Sequence, residues 1–454
     1  MKKIDYLKRN IENKDITILG AGISGKGAAV LANYLGANVL LSNNKKIDNL
    51  NTLNKNIEIE YSHSNKCLKS DLVIISPGIN PHKNKIIEEI EKLNIPIISE
   101  IEFGYWFTKS PIIAVTGSNG KSTVVKLLYE IFKNEFKDAM LGGNIGISFS
   151  ENVYNELINK NKTIIHILEL SSFQLQKTIK FKPNLSCILN ITKDHIKRHG
   201  SFKNYFNDKL KIIQNSRKDS YITYNGDDLK LKGYFSSNKN ALPFSIKNKM
   251  QDFTINDKRI FYTKTKKLII NQDDTNLIGN HNLSNLLASI QIAKIFNIDS
   301  KTIEDSLLTF KPLKHRMEKL EIKSDKIFIN DSKGTNLVAT HSAIDSFDKN
   351  IILIIGGYSD DNIIDDDIEK LIKRKNIHSI ICYGQIGNKL FKIAKKTKKT
   401  YYKKLFSDAI LYAIKHSFND SIVLLSPGYK SFDQFKNFEE RGDKFKEIVN
   451  QYYA

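Results

Sequence analysis

Short apolar runs alternate with amphipathic stretches over most of the chain. ITILG (16–20), NVLLS (38–42), LVIIS (72–76) and IPIIS (95–99) are near-continuously apolar. A strand covered on one face would alternate; unbroken runs of this length predict strands buried on both faces, as in a parallel sheet. Helix-period segments such as KNKIIEEIEKL (83–93) lie between them, so the chain reads as stacked βαβ units. A second series starts at PIIAVTG (111–117) and continues with IIHILEL (164–170) and LSCILNI (185–191). From Asp228 to Leu277 apolar and polar residues alternate around Asn-Asp turn signals, which predicts antiparallel hairpins. HNLSNLLASIQIAKIF (281–296) reads as an apolar helix, and a third βαβ series follows in KIFIND, NIILIIGG, HSIICYG and SIVLLSPG.

The expected fold class is therefore α/β in three domains, 1–105, 106–310 and 311–454, the middle one carrying the antiparallel addition. Joins are expected near Phe103–Ser110 and Phe310–Leu313, where aromatic and proline residues interrupt the pattern. A length of 454 residues agrees, being too long for one ordinary core. No apolar run approaches the roughly 20 residues of a membrane helix, and MKKIDYLKRNIENKD lacks the apolar core of a secretory signal. Cys67, Cys187 and Cys382 are far apart and read as free thiols of a reducing cytoplasm. The net charge of +21 invites a nucleic-acid reading. Lysine is plentiful throughout, however, and a chain solvated by lysines explains the charge without nucleic acid.

Three strand ends carry glycine-rich or phosphate-suited sequences. GAGISG (20–25) is a Gly-x-Gly-x-x-Gly directly after a strand and opening a helix, a turn that lets a phosphate approach the backbone. A dinucleotide enzyme would place an acidic residue about 20 positions on; Asn43 and Asn44 stand there instead. VTGSNGKST (115–123) sits between a strand and a helix, so the amides of Gly117, Ser118, Asn119, Gly120 and Lys121 can cradle phosphates. Lys121 can reach the outer phosphates, and Ser122 or Thr123 can hold magnesium. ELSSFQL (169–175) ends an apolar strand with Glu169, a carboxylate suited to a metal or merely solvated. NITKDHIKRHG (190–200) brings Asp194 and His195, a metal pair or a helix cap, and Lys209 further on is indistinguishable from a surface lysine. NDSKGTN (330–336) offers Asp331 to a ribose or metal and Lys333 to phosphate, and LSPGYKSFDQFKNFEERGDKF (425–445) offers donors for a carboxylate.

Together TGSNGKST, GGNIG (142–146), ELSSFQL, the Asp-His pair, GNHNLSN (279–285), HRME (315–318) and NDSKGTN resemble the Mur ligase family in order and spacing, over essentially the whole chain. SFDQFKNFEERGDKF resembles the members that add D-glutamate, not those adding alanine, the third amino acid or the dipeptide. The resemblance implies a UDP-substrate domain, a central ATPase domain and a C-terminal domain for ATP and the amino acid. It implies that ATP phosphorylates the alanyl carboxylate of UDP-N-acetylmuramoyl-L-alanine. The amine of D-glutamate then displaces phosphate, in cytoplasmic peptidoglycan precursor synthesis. It further implies a pair of magnesium ions, a carbamylated Lys209, a monomer, no nucleic acid and no membrane insertion. By position, Lys121 matches the β/γ-phosphate lysine, Ser122, Glu169, His195 and Lys209 the metal sites, and Asn144 and His195 the surroundings of the acyl phosphate. Asn282, Asn285, Arg316 and Asp331 match ATP positions. Lys333 and Thr335 lie in the motif nearest the reaction, and Thr335, Ser431 and Phe438 match D-glutamate positions. Gly22, Ile23, Ser24, Asn43, Asn44 and Gly78 match the uridine-diphosphate pocket.

Two departures stand out. Asn43 replaces a residue that is usually acidic. In GGYSDDN (356–362), Asp360 and Asp361 occupy a stretch where many members carry a lysine for the incoming glutamate. Lys430, directly before Ser431, can restore that charge, and a ligase for L-glutamate is the alternative the departure raises. A nicotinamide dehydrogenase leaves VTGSNGKST unexplained, and a folylpolyglutamate-type ligase does not account for the GAGISG domain. Closure of the C-terminal domain on ATP is expected, with hinges near 103–110 and 310–313.

Overall fold

The computed structural model describes residues 2–46, 53, 55–81, 84–136, 138–159, 164–250, 252–359 and 365–454. It contains two compact units, Met1–Thr254 with Asn285–Leu307, and Ile255–Ser284 with Leu308–Ala454.

The first unit holds two parallel sheets. β1 (Asp15–Leu19), β2 (Asn38–Ser42), β3 (Glu58–Glu60), β4 (Leu72–Ile75) and β5 (Ile97–Ser99) form a sheet in the order β3-β2-β1-β4-β5. Ile18 of β1 lies between Leu41 and Ile74, all buried. Such two-sided burial is what unbroken apolar runs demand. β6 (Ile112–Thr116), β7 (Ala139–Gly143), β8 (Ile165–Leu170), β9 (Leu185–Ile188), β10 (Tyr221–Asn225) and β11 (Ala241–Phe244) form the second, in the order β11-β10-β9-β6-β8-β7. The expectation of hairpins from Asp228 is corrected here. Residues Leu229–Phe235 are helical, and β11 pairs parallel to β10. Asp228 caps that helix, its side chain accepting from the N–H of Lys230 and Leu231, so the polar residues there open a helix and not a turn. Antiparallel pairing starts later, in the three-stranded sheet of β12 (Phe253–Asn256), β13 (Arg259–Tyr262) and β14 (Leu268–Asn271), where β13 and β14 run antiparallel.

The expected join near Phe103–Ser110 falls largely within a helix, Glu100–Phe107, whose Phe103 and Trp106 are buried. The aromatic residues that interrupt the strand pattern are its packing face, with Phe103 5.2 Å from Phe107.

In the second unit β15 (Glu318–Lys319), β16 (Ile327–Asn330), β17 (Ile351–Gly356), β18 (Ile377–Tyr383), β19 (Lys399–Lys403) and β20 (Ile422–Gly428) form a six-stranded sheet. Its order is β15-β16-β20-β17-β18-β19, and only β15 pairs antiparallel to its neighbour. In both units the sequences singled out above follow the carboxyl ends of parallel strands: GAGISG after β1, Asn43 after β2, Gly78 after β4, GSNGK after β6, Asn144 after β7, Glu169 in β8, Asp194–His195 after β9, NDSKGT after β16 and Tyr429–Ser431 after β20. Ligands of open α/β sheets bind at these ends. All three cysteines are buried free thiols, and burial pushes the Cys67 thiol up to about 12.

Candidate active site

The loop after β6 is the centre of the first unit. Gly120 has φ +90°, a conformation that favours glycine, and a Cβ there would meet Asn285 Oδ1 at 2.6 Å. Asn285 therefore lies against the loop. Ser122 and Thr123 are buried in the first turn of the helix Lys121–Phe136. Lys121 Nζ folds back on its own loop, donating to Gly117 O at 2.8 Å and Ser118 O at 3.0 Å. The segment after β9 braces the loop from the side. Asn119 N donates to Asn190 Oδ1 (2.8 Å), Asn190 Nδ2 to Asn119 O (3.0 Å), and Thr192 N to Ser118 Oγ (3.0 Å). Tyr205 OH, 2.8 Å from Ser118 Oγ, closes the brace.

Lys209 is not a surface lysine. It is buried, and its Nζ donates to Gly117 O at 2.8 Å, the same carbonyl that Lys121 uses. Burial first, and the Lys121 charge second, hold its amine well below the usual lysine range; Asp194 and Glu169 oppose the shift. Glu169, at the end of β8, is also buried. Its Oε1 accepts from Asn144 Nδ2 at 2.8 Å, while Oε2 has no hydrogen-bond partner. An unpartnered buried carboxylate oxygen is costly unless a cation meets it, so Glu169 fits a metal ion. His195 is half-exposed with φ 52°, its ring 5.1 Å from that of Phe173. Among the described residues no three His, Cys, Asp or Glu side chains converge. A metal here would take its remaining ligands from hydroxyls, a modified lysine or substrate.

The glycines of the β1 turn divide their work. At Gly20 (φ +93°) a Cβ would meet Ser76 Cβ at 2.9 Å, and at Gly25 it would meet Gly20 O at 1.8 Å. Gly22 and Gly78 face open space. Gly20 and Gly25 permit the close turn, and Gly22 and Gly78 leave room for a ligand. Asn43 Oδ1 accepts from Ala21 N at 3.2 Å, so Asn43 supports this turn while its Nδ2 donates to Lys45 O. Ile23 and Asn44 are exposed, and Ser24 is part-exposed.

In the second unit, Asp331 is buried at the end of β16. Burial pushes its carboxyl up to about 7, against the Ser426 hydroxyl and the charge of Arg316. Ser426 Oγ donates to Asp331 Oδ2 at 2.9 Å. Arg316 lies in a turn in which His315 and Met317 both have positive φ, and its charge helps burial to hold His281 down at about 4. Asn282 Nδ2 donates to Ile278 O. Lys333 Nζ lies 5.3 Å from the centre of the Phe438 ring, so NDSKGTN meets the first residue of the helix Phe438–Tyr453. Thr335 is exposed beside them and Ser431 is buried. Lys430 pairs with Tyr358 across the Gly-Gly loop, with Tyr358 N donating to Lys430 O at 2.8 Å. Asp360 and Asp361 lie outside the described residues.

Sequence reading missed the residues that act from behind. Arg441 is fully buried, and its hydrogen-bond partners among the described residues are neutral: Ser332 Oγ (2.9 Å) and O (2.7 Å), Tyr429 O (3.1 Å) and Tyr383 OH (3.2 Å). It ties the NDSKGT and SPGYKS loops together; its place in the charged run FEERGDKF gives no sign of burial. His199 bridges Asp208 and Ser172, at 2.9 and 3.0 Å, beside Lys209.

Residues 115–293 match the Mur ligase middle domain, and residues 15–85 the MurD N-terminal domain. The chain is 36% identical over 448 residues to a UDP-N-acetylmuramoylalanine–D-glutamate ligase of Christiangramia forsetii, covering 96% of this chain and 99% of that one. It is 34% identical to the ligase of that name from Bacillus cereus, covering 97% and 98%. Solved structures share the fold at low identity. A pseudomurein peptide ligase type C of Methanothermus fervidus has a TM-score of 0.63 at 18% identity, covering 97% of this chain and 100% of that one. MurF ligase of Thermotoga maritima in complex with ADP has 0.60 at 15%, covering 98% and 97%. By this full-length relationship the chain belongs to the Mur ligase family, on the branch that carries the MurD N-terminal domain.

Proposed function

We propose that this chain is the ATP-dependent ligase that joins D-glutamate to UDP-N-acetylmuramoyl-L-alanine in peptidoglycan precursor synthesis. The observation that carries the chemistry is the convergence of Lys121 and Lys209 on Gly117 O, beside Glu169 with one unpartnered oxygen. A site with two amines and a bare carboxylate around a phosphate-type loop suits transfer of a phosphoryl group. A carboxylate is a poor electrophile, and phosphorylation gives it a leaving group.

Gly117–Gly120 amides and Lys121 bind the β/γ-phosphates, Lys121 exchanging its two loop carbonyls for phosphate oxygens. Magnesium, held through Ser122, Glu169, His195 and carbamylated Lys209, would offset the phosphate charge. The depressed basicity of Lys209 supports the carbamate, because only the neutral amine adds to carbon dioxide. Asn144, fixed on Glu169 at 2.8 Å, orients the alanyl carboxylate for attack on the γ-phosphorus. Asn282, Asn285, Arg316 and Asp331 hold the nucleotide. Thr335, Ser431 and Phe438 hold D-glutamate, with Lys430 facing its side-chain carboxylate and Lys333 near the reacting groups. The amine adds to the acyl phosphate, the tetrahedral centre collapses, and phosphate leaves. Gly22, Ile23, Ser24, Asn43, Asn44 and Gly78 receive the uridine diphosphate. In this reading the functional domains are 1–105, 106–310 and 311–454, and the enzyme works as a monomer in the cytoplasm.

The test is phosphate release with ATP, magnesium and UDP-N-acetylmuramoyl-L-alanine, offering D-glutamate, L-glutamate, meso-diaminopimelate or no amino acid. Release with D-glutamate alone, with one glutamyl added by mass, is expected. Release with L-glutamate instead would assign the altered Gly-Gly loop a different specificity, and release with none would overturn the proposal.

A further inference from the structure

Arg198 lies in the segment KDHIKRHG, two positions beyond the start of the short helix Ile196–His199. Among the described residues its guanidinium pairs with no carboxylate. Nη2 donates to Pro77 O and, at 2.9 Å, to Ile79 O, the two carbonyls that flank Gly78. The carbon of the same group lies 3.8 Å from the centre of the Phe173 ring. Phe173 in turn stacks on His199 at 4.9 Å and meets His195 at 5.1 Å. His199 is pinned by Asp208 and Ser172. One side chain thus connects the loop after β4 to the segment that presents His195, through a ring in ELSSFQL.

We propose that Arg198 is a positioning residue that sets the Pro77–Ile79 loop, and so the uridine-diphosphate substrate, in register with the phosphate site. The proposal rests on the function proposed above for the substrate's identity, but the loop contact itself does not. The hydrogen bonds that start from Ser76 and Ile79 stay on their own side, and Ile79 packs on the core of the N-terminal sheet. Ile79 N donates to Ser76 O at 3.1 Å, and Ser76 Oγ to Gly20 O at 2.8 Å, both within the N-terminal sheet. Neither contact reaches the loops after β8 and β9. A planar guanidinium suits the task, since it bonds in its plane and stacks on its face at once. Lysine can supply the donors but not the stacking, so the two functions are separable by substitution. A 1 Å displacement of a bound substrate is enough to cost about 100-fold in rate.

The experiment compares Arg198→Ala, Arg198→Lys and Phe173→Leu with wild type in two readouts. Amide hydrogen exchange of residues 76–80 reports the loop without any substrate. Steady-state kinetics report KM for each substrate and kcat. Arg198→Ala is expected to speed exchange in 76–80 about 10-fold, and to raise KM for UDP-N-acetylmuramoyl-L-alanine at least 10-fold with KM for ATP within 2-fold. Arg198→Lys should recover most of the loop protection, and Phe173→Leu should reproduce part of the KM effect with the guanidinium still present. Unchanged exchange in 76–80 in Arg198→Ala overturns the proposal, as does an equal rise in both KM values, which a general structural defect would give. If wild type itself turns over no UDP-linked substrate, the functional reading fails while the exchange data still decide the role of Arg198.

Discussion

At the scale of residues, the loop after β6 receives two amines, Lys121 and Lys209, of which the local sequence points to the first and the family resemblance alone to the second. Lys121 was legible from Gly-Lys-Ser-Thr at a helix start. Lys209 was not legible from its neighbours, because what distinguishes it is burial by distant elements, a tertiary property. Arg198 and Arg441 escaped for the same reason, each hidden in a charged run that looks solvated. The burial of Lys209 has a measurable cost. The folded state holds its amine well below the usual value of 10.5, so between the folded value and the lysine range the unfolded chain binds a proton that the folded one does not. Stability contributed at this site therefore rises with pH between the folded value and the lysine range. Lys209→Met, similar in length and uncharged, is expected to raise Tm of the unliganded protein by a few degrees, on the order of 1 kcal/mol, and to abolish turnover. A lower Tm would mean that the amine stabilises its surroundings. In ¹³C-bicarbonate buffer, ¹³C NMR of wild type should show a carbamate resonance that Lys209→Met lacks; its absence from wild type removes the carbamate from the account. In the amino-acid pocket, Lys430→Ala should raise KM for D-glutamate at least 10-fold, about 1.4 kcal/mol, and leave KM for ATP alone. An unchanged KM would show that Lys430 does not replace the missing loop lysine.

At the scale of elements, most strands the pattern predicted are interior, Ile97–Ser99 being an edge that its apolar run still revealed. Most of those it missed, such as Glu58–Glu60, Ala139–Gly143 and Lys399–Lys403, are edges of their sheets, with Tyr221–Asn225 an interior exception. An edge is half-solvated, so EIE and KTYYK show no continuous apolar run, and the glycines of AMLGG mask the third. One helix contact has a consequence for stability. Glu102, buried in Glu100–Phe107, accepts from Trp106 Nε1 (2.8 Å) and from the backbone N–H of Ile179 (2.8 Å), Lys180 (2.9 Å) and Phe181 (2.9 Å). Four donors fill both carboxylate oxygens, and an amide has one acceptor oxygen to offer them. Glu102→Gln should therefore lower stability by about 2–3 kcal/mol, read from urea unfolding, with KM values unchanged in the folded fraction. A loss under about 0.5 kcal/mol would show that the turn 179–181 satisfies itself.

At the scale of the whole molecule, three largely parallel sheets each carry the singled-out motifs at the ends of their strands. The succession of βαβ series carried that much of the architecture in the sequence. The glycine, lysine and carboxylate motifs told which ends matter, whereas the braces behind them emerged only with the fold. The proposed chemistry requires that the alanyl carboxylate be phosphorylated and that one of its oxygens leave with phosphate. The direct measurement supplies UDP-N-acetylmuramoyl-L-alanine with ¹⁸O in the alanyl carboxylate, together with ATP, magnesium and D-glutamate, and weighs the phosphate released. Phosphate carrying one carboxylate-derived ¹⁸O for each glutamyl joined is the predicted result. Phosphate without the label, alongside the same ligated product, would contradict an acyl phosphate and require another route to the amide.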